Sequence, residues 1–503
     1  MGKAHLTDIE NLYRYYGLCP WEMCSMLSLL ITIPFFSILL FNLPFLKFLR
    51  RAITAWAYVL FCAQIALALR LFSPEFLNSF TLRAHLFNFN IALDNFSLIV
   101  LLSSAIVLFV TLIIANYTID SEKKRFNFIN LLIFAQAGLN GLVLSRDMFG
   151  LYIFLEIVAV TSYILIVFDK DIKALSAAFK YFILSAVASV LMVASIALIL
   201  LFSGDTQFSV IHKAISGQSP NLLIMFSVAL FVCAAFVKAG IVPFHGWLPE
   251  VYSCSPAAVS VLLAGIISKT LGIYTLMRVV KDAFGFNSHL NNVLLFAGMI
   301  SIVIGALAAL VQKDFKKMLG FSSISQMGYI VLGLGNGTAL GFAGAAFHIF
   351  NHAIFKSLLF VNSAAIESRT RTTHMQELGG LSKVMPVTGL TSVLGFVSAA
   401  GLPPLAGFWS KLLIIMALIS SGHFIYAILA IVLSALTLAY LLSMQRMVFF
   451  GKLNERFLKI KEAEFGFSLA AIILAAIIVL AGLFYPFVLE KFILPIGSFG
   501  VFK

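Results

Sequence analysis

Apolar residues in this chain run in long unbroken blocks. They do not alternate as in a half-buried strand, nor do they recur every third or fourth position as on a soluble amphipathic helix. LIVLLSSAIVLFVTLIIA at 98–115 and LAAIILAAIIVLAGLF at 469–484 are examples. Blocks of this kind, close to the roughly 20 residues needed to cross a bilayer, predict an all-α polytopic membrane protein with about 14 transmembrane helices. Read between polar breaks, the helices start near residues 24, 52, 95, 126, 147, 174, 221, 255, 290, 320, 338, 385, 424 and 466. The chain then divides into an N-terminal surface segment (1–22), helices 1–3 (23–125), a five-helix block (126–280), a second five-helix block (281–450), and a cytoplasmic loop with a last helix (451–503).

Composition removes the alternatives. Of 503 residues, 61% are hydrophobic and only 11% charged, which excludes a soluble fold. A net charge of +13 would suggest nucleic acid in a soluble protein, but here the charges sort by loop and no nucleic-acid partner is implied. The loops after predicted helices 1, 3, 5, 9, 11 and 13 hold most of the loop arginines and lysines, among them Lys123, Lys124, Arg125, Lys313, Lys316 and Lys317. The other side holds fewer, including Arg146, Arg278 and Lys281. The positive-inside rule therefore places both termini on the non-cytoplasmic side of a cell (inner) membrane. Residues 1–22 have neither the apolar run of a signal peptide nor the acid-poor composition of a transit peptide.

Five basic residues belong to no loop: Lys180, Lys238, Lys269, Lys356 and Lys411. A lysine near the bilayer centre costs at least about 2.5 kcal/mol on insertion scales, so each needs a partner inside the bundle, hydration, or the neutral state. Glu156, the only acid between Asp147 and Asp169, is the natural counter-charge. Lys180, close to Lys173, has a second option, which is to snorkel to the interface. His348, His352 and Lys356 recur at four-residue intervals and fall on one helical stripe. Lysines, histidines and a carboxylate in an apolar bundle suit proton transfer, because such groups change protonation readily when buried.

Prolines interrupt two of these helices. Pro243 follows Lys238 in FVKAGIVPFHGWLPE, and Pro403 and Pro404 precede Lys411 in GLPPLAGFWSK. Proline deletes a backbone donor, and a broken helix at membrane depth is tolerated only where protein or a wet cavity supplies partners. Helices 7 and 12 are thus expected to be broken, at corresponding places in two blocks of five helices. An odd number per block inverts the second copy, the inverted-repeat layout of many transporters. Cys19 and Cys24 are close enough to pair, and no cysteine spacing fits a zinc, haem or iron–sulfur site. No cofactor is expected on this chain.

At these motifs the sequence resembles the antiporter-like subunits of the superfamily containing complex I, Mrp-type cation/proton antiporters and energy-converting membrane hydrogenases. The strongest block is KAGIVPFHGWLPEVYSCSPAAVSVLLAGIISKTLGIYTLMR, followed by QKDFKKMLGFSSISQMGY, HIFNHAIFKSLLF and GLPPLAGFWSK. The resemblance implies a polar axis through the middle of the subunit. Glu156 resembles a glutamate that pairs with Lys238, and Lys180 resembles a lysine that modulates that pair. Lys269 resembles a relay residue, His348, His352 and Lys356 a central connection, and Lys411 the terminal lysine. His245 and Gln326 are secondary members; glutamine at 326 looks more like the hydrogenase and Mrp branches than like complex I.

The function expected is proton or sodium translocation by a subunit of a redox-driven membrane complex, with other integral membrane subunits as partners and electrons supplied by an arm bearing iron–sulfur clusters. The alternatives are an Mrp-type sodium/proton antiporter subunit without electron transfer, a module of an inorganic-carbon uptake system, and a structural spacer.

Overall fold

A computed structural model of the chain describes residues 20–44, 50–72, 82–86, 89–216 and 221–497. Several polar breaks in the sequence become helix starts because a side chain there accepts from the first free backbone N–H groups. Asp94 caps α3 (Asn95–Thr118) and Ser121 caps α4 (Glu122–Leu144). Asp147 caps α5 (Met148–Ile166) and Asp171 caps α6 (Ile172–Ser203). Before them come α1 (Pro20–Asn42) and α2 (Ile53–Leu71).

Asn221 caps the first half of the seventh helix, α7a (Leu222–Ala239), which stops at Gly240 with φ +69°. A left-handed residue there favours glycine, and the helix resumes as α7b (Trp247–Cys254). The eighth, α8 (Ala257–Phe284), runs past the block boundary expected at 280. Asn287, Asp314 and Thr338 cap α9 (Ser288–Leu310), α10 (Phe315–Gly335) and α11 (Ala339–Thr370). The twelfth helix is again in two pieces, α12a (Pro386–Ala400) and α12b (Ala406–Ser420), separated by Gly401 at φ +81°. Helices α13 (Phe424–Val448) and α14 (Phe465–Leu483) follow. Among the described residues these fourteen helices start near the expected places, two of them broken at the expected prolines, and shorter helical segments lie at Phe208–Ser216 and over 485–497; this is an all-α polytopic membrane protein.

Burial sorts the helices. Among the described residues α3, α8, α10 and α11 are almost wholly enclosed, whereas α2, α6 and α13 turn most of their surface outward. Outward-facing side chains such as Val190, Leu201 and Ile425 are apolar, as lipid contact requires. The enclosed α8, α10 and α11 are also the carriers of Lys269, Gln326, His348, His352 and Lys356.

Three features depart from the sequence reading. A short antiparallel hairpin, β1 (Leu82–Leu86) with β2 (Phe89–Leu93), lies between α2 and α3. Arg278 and Lys316, expected in loops, are both buried: Arg278 lies within α8 and Lys316 in the first turn of α10. Each carries an ion pair that permits it, Arg278 with Asp94 and Asp282, and Lys316 with Glu367. Glu156 is therefore not alone as a carboxylate partner to a buried cation. The suggested Cys19–Cys24 pair lies outside the described residues.

Candidate functional site

Lys238 is the last but one residue of α7a, so its side chain leaves the helix where the backbone breaks. It is fully buried, and its Nζ donates to Glu156 Oε1 at 3.0 Å, Ser185 Oγ at 2.7 Å and Ser189 Oγ at 3.0 Å. Ser189 in turn donates to the same Glu156 oxygen at 2.6 Å. An ammonium has three donors, and all three are used here. The two serines stand four apart on α6 and so face one way. That spacing was visible in the sequence but meaningless without a partner.

Lys269 follows on α8, whose turns are widened to π geometry at Leu263–Ile267 and Lys269–Tyr274. Widened turns free backbone carbonyls and often sit at functional positions. Lys269 Nζ donates to the carbonyl of Ala264. Two glycines bring its helix against its neighbours. A Cβ at Gly272 would strike the backbone of Ala239, next to Lys238, and one at Gly265 would strike Ser357, next to Lys356. Lys269 is thereby held between the two halves of the row.

On α11, Lys356 Nζ donates to the carbonyl of Leu319 at 3.0 Å and to Ser322 Oγ at 2.8 Å, both on α10. Tyr440 on α13 donates to the same serine at 2.8 Å. The rings of His352 and His348 lie nearly parallel, 6.2 Å apart. The two ring nitrogens of His352 have no protein partner. His348 is held at both nitrogens, by Ser410 Oγ at 2.8 Å and Gln326 Oε1 at 3.1 Å. Ser410 precedes Lys411, whose Nζ reaches back to the break of the twelfth helix. It donates to the carbonyls of Ala399 at 2.9 Å and Ala400 at 3.3 Å and lies over the ring of Tyr329. Lys238 and Lys411 thus occupy opposite sides of their respective proline breaks in sequence; the Lys411 amine bonds at its break, whereas the Lys238 amine turns to α5 and α6.

Two expected members sit elsewhere. Lys180 points outward with 57% of its side chain exposed and pairs with Glu250 on α7b at 2.7 Å, not with Glu156. His245 is half-buried in the turn between α7a and α7b. The sequence reading also missed the serines and Tyr440, since isolated hydroxyls in apolar helices carry no signal of their own. A second ionic cluster was missed as well. Arg278 donates to Asp94 at 2.6 and 2.8 Å and to Asp282 at 2.9 Å, while Arg146 stands 3.4 Å from Asp94. Burial alone would raise the Asp94 carboxyl, but Arg278 and then Arg146 hold it well below the usual carboxylate range.

The profile of the family described as "NADH:quinone oxidoreductase/Mrp antiporter, TM" matches residues 145–437. A Na(+)/H(+) antiporter subunit from Alkalihalophilus pseudofirmus is 33% identical over 361 residues, which is 71% of this chain and 73% of that protein. An NADH-quinone oxidoreductase subunit from Desulforudis audaxviator is 30% identical over 64% of each chain. Among solved structures, a chain of the Mrp complex from Dietzia superposes with a TM-score of 0.88 at 23% identity, covering 95% of this chain and 97% of its own. A chain of respiratory complex I from Thermus thermophilus superposes with a TM-score of 0.79 at 21% identity, covering 94% and 98%. These last two show a shared fold. With its profile match, its relatives and its fold in agreement, this chain belongs to the family of NADH:quinone oxidoreductase/Mrp antiporter transmembrane subunits.

Proposed function

We propose that this chain is an ion-translocating subunit of a larger membrane assembly, moving protons or sodium ions along the buried row Glu156, Lys238, Lys269, Lys356, His352, His348 and Lys411. One observation carries the reading: four lysines with at most 3% exposure lie in one enclosed polar string, and only the first has a carboxylate partner. Lysines without counter-charges in such a setting are costly and are kept for transfer. Lys180 and Glu250 act from outside this string, on the α6 and α7b surface. The row crosses from helices 4–8 to helices 9–13, and we take these as two inverted repeats, with both termini on the non-cytoplasmic side of a cell membrane. Partner subunits would supply the driving energy, from an iron–sulfur arm if the assembly is redox-driven.

A second reading, an Mrp-type antiporter subunit exchanging sodium for protons without electron transfer, is favoured by the 33% identity to the Alkalihalophilus Na(+)/H(+) antiporter protein. Purifying the native assembly separates the two: an iron–sulfur arm supports the first and small membrane subunits alone support the second. Either reading expects Lys269→Ala to abolish ion movement in reconstituted vesicles while the subunit remains assembled. Undiminished movement would refute both.

A further inference from the structure

Helix α12b carries Lys411 and the Ser410 hydroxyl that meets His348, whereas the carbonyls that receive the Lys411 amine belong to Ala399 and Ala400 of α12a. The two halves are separate helical pieces joined by residues 401–405. Both contacts form together only if the halves keep one relative placement. Whatever fixes that placement acts on the end of the row.

Helix 7 closes its own break. Trp247, the first residue of α7b, donates its indole N–H to the carbonyl of Val237 in α7a at 3.0 Å. Helix 12 also has a tryptophan just past its break, but Trp409 donates to the carbonyl of Gly482 at 3.1 Å, in the last turn of α14. Its ring stacks on that of Tyr485, 4.1 Å away and 4° from parallel. Gly482 is seated on the break itself, since a Cβ there would strike the carbonyl of Pro404 and the backbone of Leu405 and Ala406.

The far end of α12a is held by the same element. Met385, which precedes α12a, supplies no side-chain cap, and Glu462 in the loop leading into α14 takes its place. The Glu462 carboxylate accepts from the Val387 N–H at 2.8 Å and from the Thr388 hydroxyl at 2.6 Å, at the positive end of the helix dipole. The 19 residues of α14 reach about 28 Å and the 15 of α12a about 22 Å, so α14 is long enough to run beside α12a and past the break. In its first turn Gly466 lies against the ring of Tyr117, which sets α14 on α3.

We infer that α14 is a brace across the break of helix 12, holding α12a through Glu462 and α12b through Trp409, and that these two are positioning residues for Lys411. This role rests on the ion-translocating reading and adds an asymmetry to it. The break beside Lys238 is closed within its own helix, whereas the break beside Lys411 is closed by a helix outside both five-helix blocks. A change at α14 therefore acts on Lys411 and spares Lys238.

Amide hydrogen exchange and ion movement, both on the native assembly in vesicles, test the brace. Trp409→Phe keeps a ring for Tyr485 and deletes the N–H; Glu462→Ala deletes the cap, and Glu462→Gln keeps an acceptor oxygen. In Trp409→Phe, exchange over residues 397–411 should quicken about fivefold, the change expected for one lost hydrogen bond, and stay unaltered over 237–248. The pH of half-maximal ion movement should move by about 0.7 unit, the same hydrogen bond expressed as a proton affinity. Glu462→Ala should shift both readouts and Glu462→Gln should restore them, a comparison that stands even if Trp409→Phe fails to assemble. An unmoved pH profile in assembled Trp409→Phe and Glu462→Ala overturns the brace, as does exchange quickened equally at both breaks, which would mean general loosening. Normal ion movement in Lys238→Ala would instead sink the ion-translocating reading itself.

Discussion

Removing the carboxylate from the Glu156–Lys238 pair should destabilise the protein by less than a buried ion pair usually would. At 3.0 Å and an effective dielectric of about 20, the two charges attract by about 5.5 kcal/mol. Most of that is cancelled by desolvation, since Lys238 is fully buried and Glu156 is 27% exposed. After Glu156→Gln the ammonium still holds Ser185 and Ser189, and after Lys238→Met the carboxylate still accepts from Ser189 and meets its partly open surroundings. Each single change is therefore expected to cost about 1–3 kcal/mol, and the double-mutant cycle to return a coupling of about 2 kcal/mol. Unfolding of the purified protein in mixed detergent micelles gives the four stabilities. Additive single effects, within about 0.5 kcal/mol, would refute the claim that the two side chains form a coupled pair.

Three further outcomes are expected. Lys180→Ala removes an exposed ion pair, so stability should change by at most about 1 kcal/mol and flux should fall far less than in Lys238→Ala; equal losses would place Lys180 in the row. Gly272→Ala pushes a methyl into the backbone of Ala239 and should cost about 1–3 kcal/mol by overpacking while slowing ion movement, both readable on one preparation. Asp94 has a folded pKa below its unfolded value of about 3.9, so its pairing stabilises above that pH and is lost as the pH falls through the folded value. Asp94→Asn should therefore destabilise by about 3 kcal/mol at pH 7, and the gap to the unaltered protein should close below about pH 4; a gap independent of pH would mean the carboxylate is not held by its arginines.

What the sequence made legible, and what it did not, follows from how each residue announces itself. Lys238, Lys269, Lys356 and Lys411 stand out because a charge inside an apolar block has no cheap explanation. The breaks in helices 7 and 12 stand out because proline forbids a continuous helix. Arg278 and Lys316 were misplaced for the converse reason: each lies at the end of an apolar block beside other charges, Lys281 and Asp282 or Lys313 and Lys317, and so reads as loop. Their burial depends on Asp94 and Glu367, partners far away in sequence. Lys180, for which the sequence left snorkelling open, faces outward and pairs with Glu250. It sits inside an apolar block, but α6 is an outer helix, and only packing decides which of its faces meets protein. The π turns around Lys269 have no sequence signature; they lie where glycines let α8 pack closely on α3, α7a and α11.

The central claim is that ions pass through the buried row. Its most direct test is ion movement across vesicles holding the intact assembly, followed with an internal pH dye and a sodium indicator, for the unaltered chain and for Lys238→Ala. The account predicts movement in the first and its loss in the second, with the variant subunit still assembled at normal abundance. Movement at the unaltered rate in assembled Lys238→Ala would contradict it.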